Sequence, residues 1–123
     1  MKRSLRKKWV AALRSRKYRQ GTNTLRSGPL NYDGTGPETY CCLGVLCEVM
    51  KLPKVKGGGW NDFGYQLGPR KRDMAFTEFS ASFLRTIGLT KEQQRTLIEM
   101  NDDERKKFGA IARWIETHIR ATP

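Results

Sequence analysis

The stretch Thr39-Tyr40-Cys41-Cys42-Leu43-Gly44-Val45-Leu46-Cys47-Glu48-Val49-Met50 is the most apolar run of an otherwise polar and cationic chain, and Glu48 is its only charge. Leu43, Leu46, Cys47 and Met50 recur at i, i+3, i+4 and i+7, the spacing of one helix face. Tyr40, Cys41 and Cys42 read as the end of a strand. The stretch therefore predicts a strand-to-helix junction near Leu43 with both pieces in the core. Leu52-Pro53 ends the helix after Met50.

Upstream, residues 1–20 hold nine Lys or Arg and no acid. Leu5, Trp9, Ala12 and Leu13 share one helical face, and Arg3, Arg6, Lys7, Arg14 and Lys17 crowd the remainder. This predicts an amphipathic helix from Ser4 to Arg16 with Ser4 as N-cap. It lacks the i, i+4 acid–base pairing of an ordinary solvated helix, so a helix laid along phosphates fits it equally well. Gly21 is the expected stop. Thr22 to Arg26 predicts a short strand. Gly28-Pro29, Asp33-Gly34 and Gly36-Pro37 predict a long loop, and Glu38 to Cys42 a returning antiparallel strand.

Downstream, Lys54 to Arg72 is glycine-rich, aromatic and basic together. Phe63, Tyr65 and Leu67 alternate and predict a third short strand. Trp60 and Tyr65 read either as caps on the core or as rings on which bases stack. Thr77 opens a helical stretch with Phe79, Phe83, Leu84 and Ile87, stopped by Gly88. Thr90 and Gln93 have capping-box spacing ahead of a helix carrying Leu97 and Ile98. Asn101-Asp102-Asp103 is expected to break that helix and cap the next. Phe108, Ile111, Ala112, Ile115 and Ile119 form an apolar stripe, predicting a helix from Glu104 to about Arg120 with Asp102, Asp103 and Glu104 at its positive end.

At 123 residues the chain is one domain, residues 1–123, without repeat or linker. Its 24 Lys and Arg against 12 Asp and Glu give a formal charge of +12, an attraction for polyanions. No apolar run is long enough for a membrane helix, and no apolar segment follows the basic N-terminus as a secretory signal requires. Three cysteines, two adjacent, make a poor disulfide framework and fit a reducing cytoplasm.

The chemistry-bearing groups are thin. Cys41, Cys42, Cys47 and His118 lack structural-zinc spacing, and buried thiols are the default reading. A nucleophilic Cys41 or Cys42 would need His118, the sole histidine, brought beside it. Asp33, Glu38, Asp62 and Asp73 show no calcium-loop spacing, and no phosphate-binding glycine motif is present. No metal, cofactor or enzymatic activity is expected. The remaining reading is binding. Arg3, Arg6, Lys7, Arg14, Lys17, Arg19, Lys54, Lys56, Arg70, Lys71, Arg72, Arg105, Lys106 and Lys107 would form a phosphate-tracking face, with Trp60 and Tyr65 as stacking rings. An alternative pocket of Tyr18, Gln20, Arg26, Tyr40 and Trp60 would take a small phosphorylated nucleotide, with Arg26 on its phosphate. A third reading is a protein–protein inhibitor occupying an acidic groove.

Several signatures occur together: Trp9-Val10-Ala11-Ala12-Leu13-Arg14-Ser15 leading to Tyr18-Arg19-Gln20-Gly21, Tyr40-Cys41-Cys42-Leu43-Gly44-Val45-Leu46-Cys47, Gly88-Leu89-Thr90 with Gln94, Leu97 to Asp103, and Phe108 to Glu116. Together they resemble a family of small proteins encoded by tailed bacteriophages and prophages. The resemblance implies a bacterial-cytoplasm setting during infection and brings no activity or catalytic residue. Members often carry Gly where Arg16 stands here. The expectation is an α+β domain: a basic N-terminal helix, a small two- or three-stranded antiparallel sheet, a central helix and three C-terminal helices. Its expected role is that of a non-enzymatic phage accessory protein, partnered by nucleic acid or a host nucleoprotein complex. The benefit expected for the phage is counter-defence, of an anti-CRISPR-like kind.

Overall fold

The structure, a computed structural model, describes residues 1–29, 31, 33–57 and 62–123. Trp60, a residue of both expected sites, lies outside the described residues.

The fold is α+β, as its apolar periodicities predict. In chain order it runs α1 (Arg3–Arg14), β1 (Arg26–Ser27), β2 (Thr39–Tyr40), α2 (Cys42–Val49), β3 (Lys54–Lys56), β4 (Asp62–Gln66), β5 (Met74–Ala75), α3 (Ala81–Ile87), α4 (Lys91–Ile98) and α5 (Phe108–His118). The strands form one antiparallel sheet in the order β2-β1-β4-β3, with β5 pairing the C-terminal half of β4. Among the described residues five short strands stand where two or three were expected. β3 and β5 were missed because each is two or three residues long, too short to alternate. β1 begins at Arg26, at the end of the predicted segment, and its register sets Arg26 opposite Tyr40 on one side and Phe63 on the other.

The strand-to-helix junction falls at Cys41 and Cys42, and α2 is the centre of the core. Residues 41–47 are all buried. The Cys41 sulfur caps α2 by accepting the Gly44 amide at 3.4 Å. Gly44 faces the backbone of Leu25 so closely that a Cβ there would overlap the Leu25 carbonyl oxygen. Its missing side chain is what lets α2 lie directly on the backbone that leads into β1. From the other side Trp9, with no exposed surface, donates its indole N–H to the Cys42 carbonyl at 2.9 Å. That bond satisfies the one polar atom of the largest core side chain and fixes α1 against α2.

Three helix boundaries differ from expectation, for identifiable reasons. Ser4 is not the N-cap of α1; Lys2 holds that place without a side-chain cap. α1 ends well before Gly21, because Ser15 bends back onto the Ala12 carbonyl and Arg16 takes a left-handed φ of 63°. α3 starts four residues after Thr77, with Ser80 capping the Phe83 amide; Gly88 closes it in the left-handed region, as predicted. The Thr90–Gln93 capping box forms as its spacing indicates.

The largest difference lies after α4. Asn101-Asp102-Asp103 neither breaks that helix nor caps the next. The helix widens into a π-turn over Glu99–Asp103 and then stops, and α5 begins only at Phe108 with Lys107 as N-cap. The three acids expected at the positive end of α5 are thus a turn away from it, and its first turn holds no acid. Phe108, Ile111, Ala112 and Ile115 are buried along α5, and Ile119 just beyond it, where α5 packs on α1.

Candidate nucleic-acid interface

α1 and α5 lie side by side, and the cleft between them is basic. Arg3, Arg6, Lys7, Val10, Ala11, Arg14 and Glu116 line a groove of about 440 Å³. At one hundred degrees per residue, Arg3, Lys7 and Arg14 fall within about 40° of one another around α1, so they form a single row. An adjoining groove of about 560 Å³ is lined by Leu13, Arg14, Arg16, Tyr18, Gln20, Lys107, Phe108 and Gly109. Arg14 belongs to both, so six cations from two distant segments make one continuous surface.

Gln20 and Asn101 bring those segments together. Gln20 Nε2 donates to Asn101 Oδ1 at 3.0 Å and to the Lys106 carbonyl at 2.8 Å. Asn101 is buried, accepts the Cys42 amide and donates to the Gly21 carbonyl at 2.9 Å. The π-turn aims this side chain at the N-terminus of α2, and all its polar capacity is used inside the fold. Sequence reasoning treated Asn101 as a helix breaker, and no periodicity could have marked it.

Two groups tune the groove. Arg6 Nη1 donates to the Ile119 carbonyl at 2.7 Å, closing the C-terminal end of α5. Arg14 Nη2 reaches Glu116 Oε1 at 2.6 Å, an exposed pair. The hydrogen bond from Arg14, reinforced by the charges of Arg14, Arg6 and Arg113, holds the Glu116 carboxyl below its ordinary value. The same bond raises the Arg14 guanidinium. Arg113 and Glu116 were missed from sequence because only the packing of α5 on α1 turns that flank toward the cations.

The other expected cations stand elsewhere. Lys17 covers the Tyr18 ring at 5.5 Å, and Arg19 is exposed while its carbonyl accepts the Tyr40 amide. Arg105 and Lys106 are exposed on the connection into α5. Lys54 pairs with Glu48 at 3.5 Å, and Arg70 folds back on Asp73 at 3.8 Å. Lys56, Lys71 and Arg72 are exposed on β3 and the β4–β5 turn. None of these residues lines either groove. So the cations of α1 meet Lys107, and those of β3 and the β4–β5 turn do not join them.

Tyr65 is not a stacking ring. It has no exposed surface, and its hydroxyl donates to Glu48 Oε2 at 2.7 Å. The central strand β4 points it into the core, which alternation alone could not decide.

Of the alternative pocket, Tyr18, Gln20, Arg26 and Tyr40 do gather. The Tyr18 and Tyr40 rings meet edge-on at 5.3 Å, and Gln20 bridges to Tyr40. Arg26 is buried over the Phe63 ring at 4.4 Å, and its charge is met by Glu38 at 3.0 Å. Glu38 also accepts the Tyr40 hydroxyl. Among the described residues the Arg26 Nε finds no partner.

The cysteines and His118 lie in different surroundings. All three thiols are buried, and desolvation pushes Cys41 up to about 12 and Cys42 and Cys47 well above the ordinary thiol value. His118 is exposed, stacked on Trp114 at 4.7 Å. No cluster of His, Cys, Asp and Glu suited to a metal occurs among the described residues, and no described helix is long and apolar enough to cross a membrane.

Fold and grooves together define a small basic α+β domain in which six of the 24 Lys and Arg line adjoining grooves beside one helix pair. Residues 1–84 match a domain of unknown function, DUF8296, and the chain belongs to that family. The match covers α1, the sheet, α2 and the start of α3, whereas the α5 wall of the groove lies beyond it. No curated protein and no solved structure matches the chain.

Proposed function

We propose that this protein binds nucleic acid, free or within a nucleoprotein complex, through the α1–α5 surface. The observation that carries the reading is the junction at Arg14, where Arg3, Arg6 and Lys7 of one groove continue into Arg16 and Lys107 of the next. Like charges held together in this way repel one another, and a bound polyanion relieves the repulsion. The bare positive end of α5 adds to the same potential. On the resemblance of its motifs to small phage proteins, the setting is the cytoplasm of an infected bacterium. There the protein acts as an accessory factor that blunts a host defence, without catalysis of its own.

The geometry favours this over a nucleotide pocket at Arg26, because Glu38 already neutralises that guanidinium and Tyr40 holds the second carboxylate oxygen. An inhibitor seated in an acidic protein groove would use the same cations. Titration of a labelled nucleic acid at rising salt tests the reading. Affinity should fall steeply with salt. Binding that is absent at low salt, or indifferent to it, would overturn the proposal.

A further inference from the structure

Resting on that reading, we infer that the partner is a double-stranded nucleic acid, held by its phosphates without regard to sequence. The row from Arg3 to Arg14 extends about 17 Å along α1. A duplex presents one phosphate per strand for about every 3.4 Å of axis, so a row of that length lies beside roughly five of them. Arg16 and Lys107 prolong it around the end of the helix pair.

What accompanies the cations decides between a duplex and the other polyanions. Single strands are held on open aromatic faces. In these grooves Phe108 is buried, and Tyr18 is half-buried and turned edge-on to Tyr40. Trp114 and His118 stack on each other, but by helical geometry they face the flank of α5 away from Gly109 and Glu116. Protein partners are held by central apolar or aromatic anchors. Among the described residues Met74 is the one exposed large hydrophobic, and it stands on β5, outside both grooves. A membrane surface would take the apolar face of α1, but Trp9, Val10 and Leu13 are already buried in the core. Arginine and lysine tips beside a packed helix pair, with one carboxylate, Glu116, and no open aromatic face among them, suit the backbone of a duplex, which positions a protein and carries no sequence information.

The test is fluorescence anisotropy on two unrelated duplexes of about 20 base pairs and on each of their separated strands, from about 50 to about 200 mM salt. Both duplexes should bind equally within about twofold and several-fold more tightly than any strand, with a log–log salt slope of about −4 to −5, the value for roughly five phosphates. Arg16→Gly should flatten the slope by about 1, whereas Lys71→Ala, in the β4–β5 turn, should leave it unchanged. A strand that binds as tightly as its duplex, or a tenfold difference between the duplexes, overturns the inference while leaving nucleic-acid binding intact. If neither duplex nor strand is held at the lowest salt, the function proposed above falls and this inference with it.

Discussion

Arg14 Nη2 stands 2.6 Å from Glu116 Oε1 across 102 residues of chain, at the residue shared by two cation-lined grooves. The carboxylate occupies the place where a phosphate oxygen would accept from the same guanidinium. It is therefore a built-in competitor, and the pair is exposed enough to exchange.

Glu116→Gln removes that competitor and adds one to the net positive charge. Duplex affinity should rise about two- to fivefold, while Arg14→Ala should lower it uniformly across sequences and reduce the salt slope by about 1. The pH dependence has a definite sign. Glu116 has its carboxyl lowered from 4.5, so the Arg14–Glu116 attraction is complete above that value and is lost as pH falls through the depressed one. Protonation frees Arg14, so binding by the wild-type protein should strengthen in that acidic window and binding by the Gln variant should not. Anisotropy titrations at matched ionic strength measure both.

Arg16 has a φ of 63°, a conformation in which a side chain is strained and glycine is not. Arg16→Gly should stabilise the fold by about 1 kcal/mol while weakening polyanion binding. Chemical denaturation and anisotropy on the same variant should thus move in opposite directions. A variant that loses stability and affinity together would show that Arg16 serves packing instead.

Asn101 is 1 % exposed and makes hydrogen bonds to Cys42, Gln20, Gly21 and Asp102. Asn101→Ala leaves the buried Cys42 amide without its acceptor and removes the bonds that tie Gln20 and Gly21 to the π-turn. A loss of about 3 kcal/mol is expected, read as a lower urea midpoint at unchanged slope. The grooves should also lose their alignment, so affinity for a duplex should drop in protein that is still folded.

The thiols of Cys41, Cys42 and Cys47 should be inert to a disulfide-exchange dye in the native protein and react together once it unfolds. Burial raises all three, so the native state keeps its protons where the unfolded chain releases them. Stability should therefore decline as pH rises beyond the ordinary thiol value of 9.0. Rapid labelling of one cysteine at neutral pH would mean that α2 opens locally.

Much of the architecture was legible because it depends on neighbours in sequence. The junction at Cys41 and Cys42, the Thr90 capping box, the Gly88 stop and the α5 stripe are all signals spanning no more than a dozen residues. The expectations that failed depend on something further away. Asp102 and Asp103 looked like caps, but the demand of Asn101 to reach Cys42 carries the helix on through a π-turn. Tyr65 looked like an open ring, but β4 is flanked on both sides, and Glu48 on α2 is placed to take its hydroxyl.

By itself, the sequence determined that this chain is an α+β domain with a surplus of positive charge and an apolar segment at its centre, because composition and periodicity are properties of the chain. Only the tertiary structure decided where the charge collects. Coulombic potential depends on distance in space, and the packing of α5 on α1 carries Lys107 to Arg14 and Arg16, leaving Lys54 and Arg70 with their own acids.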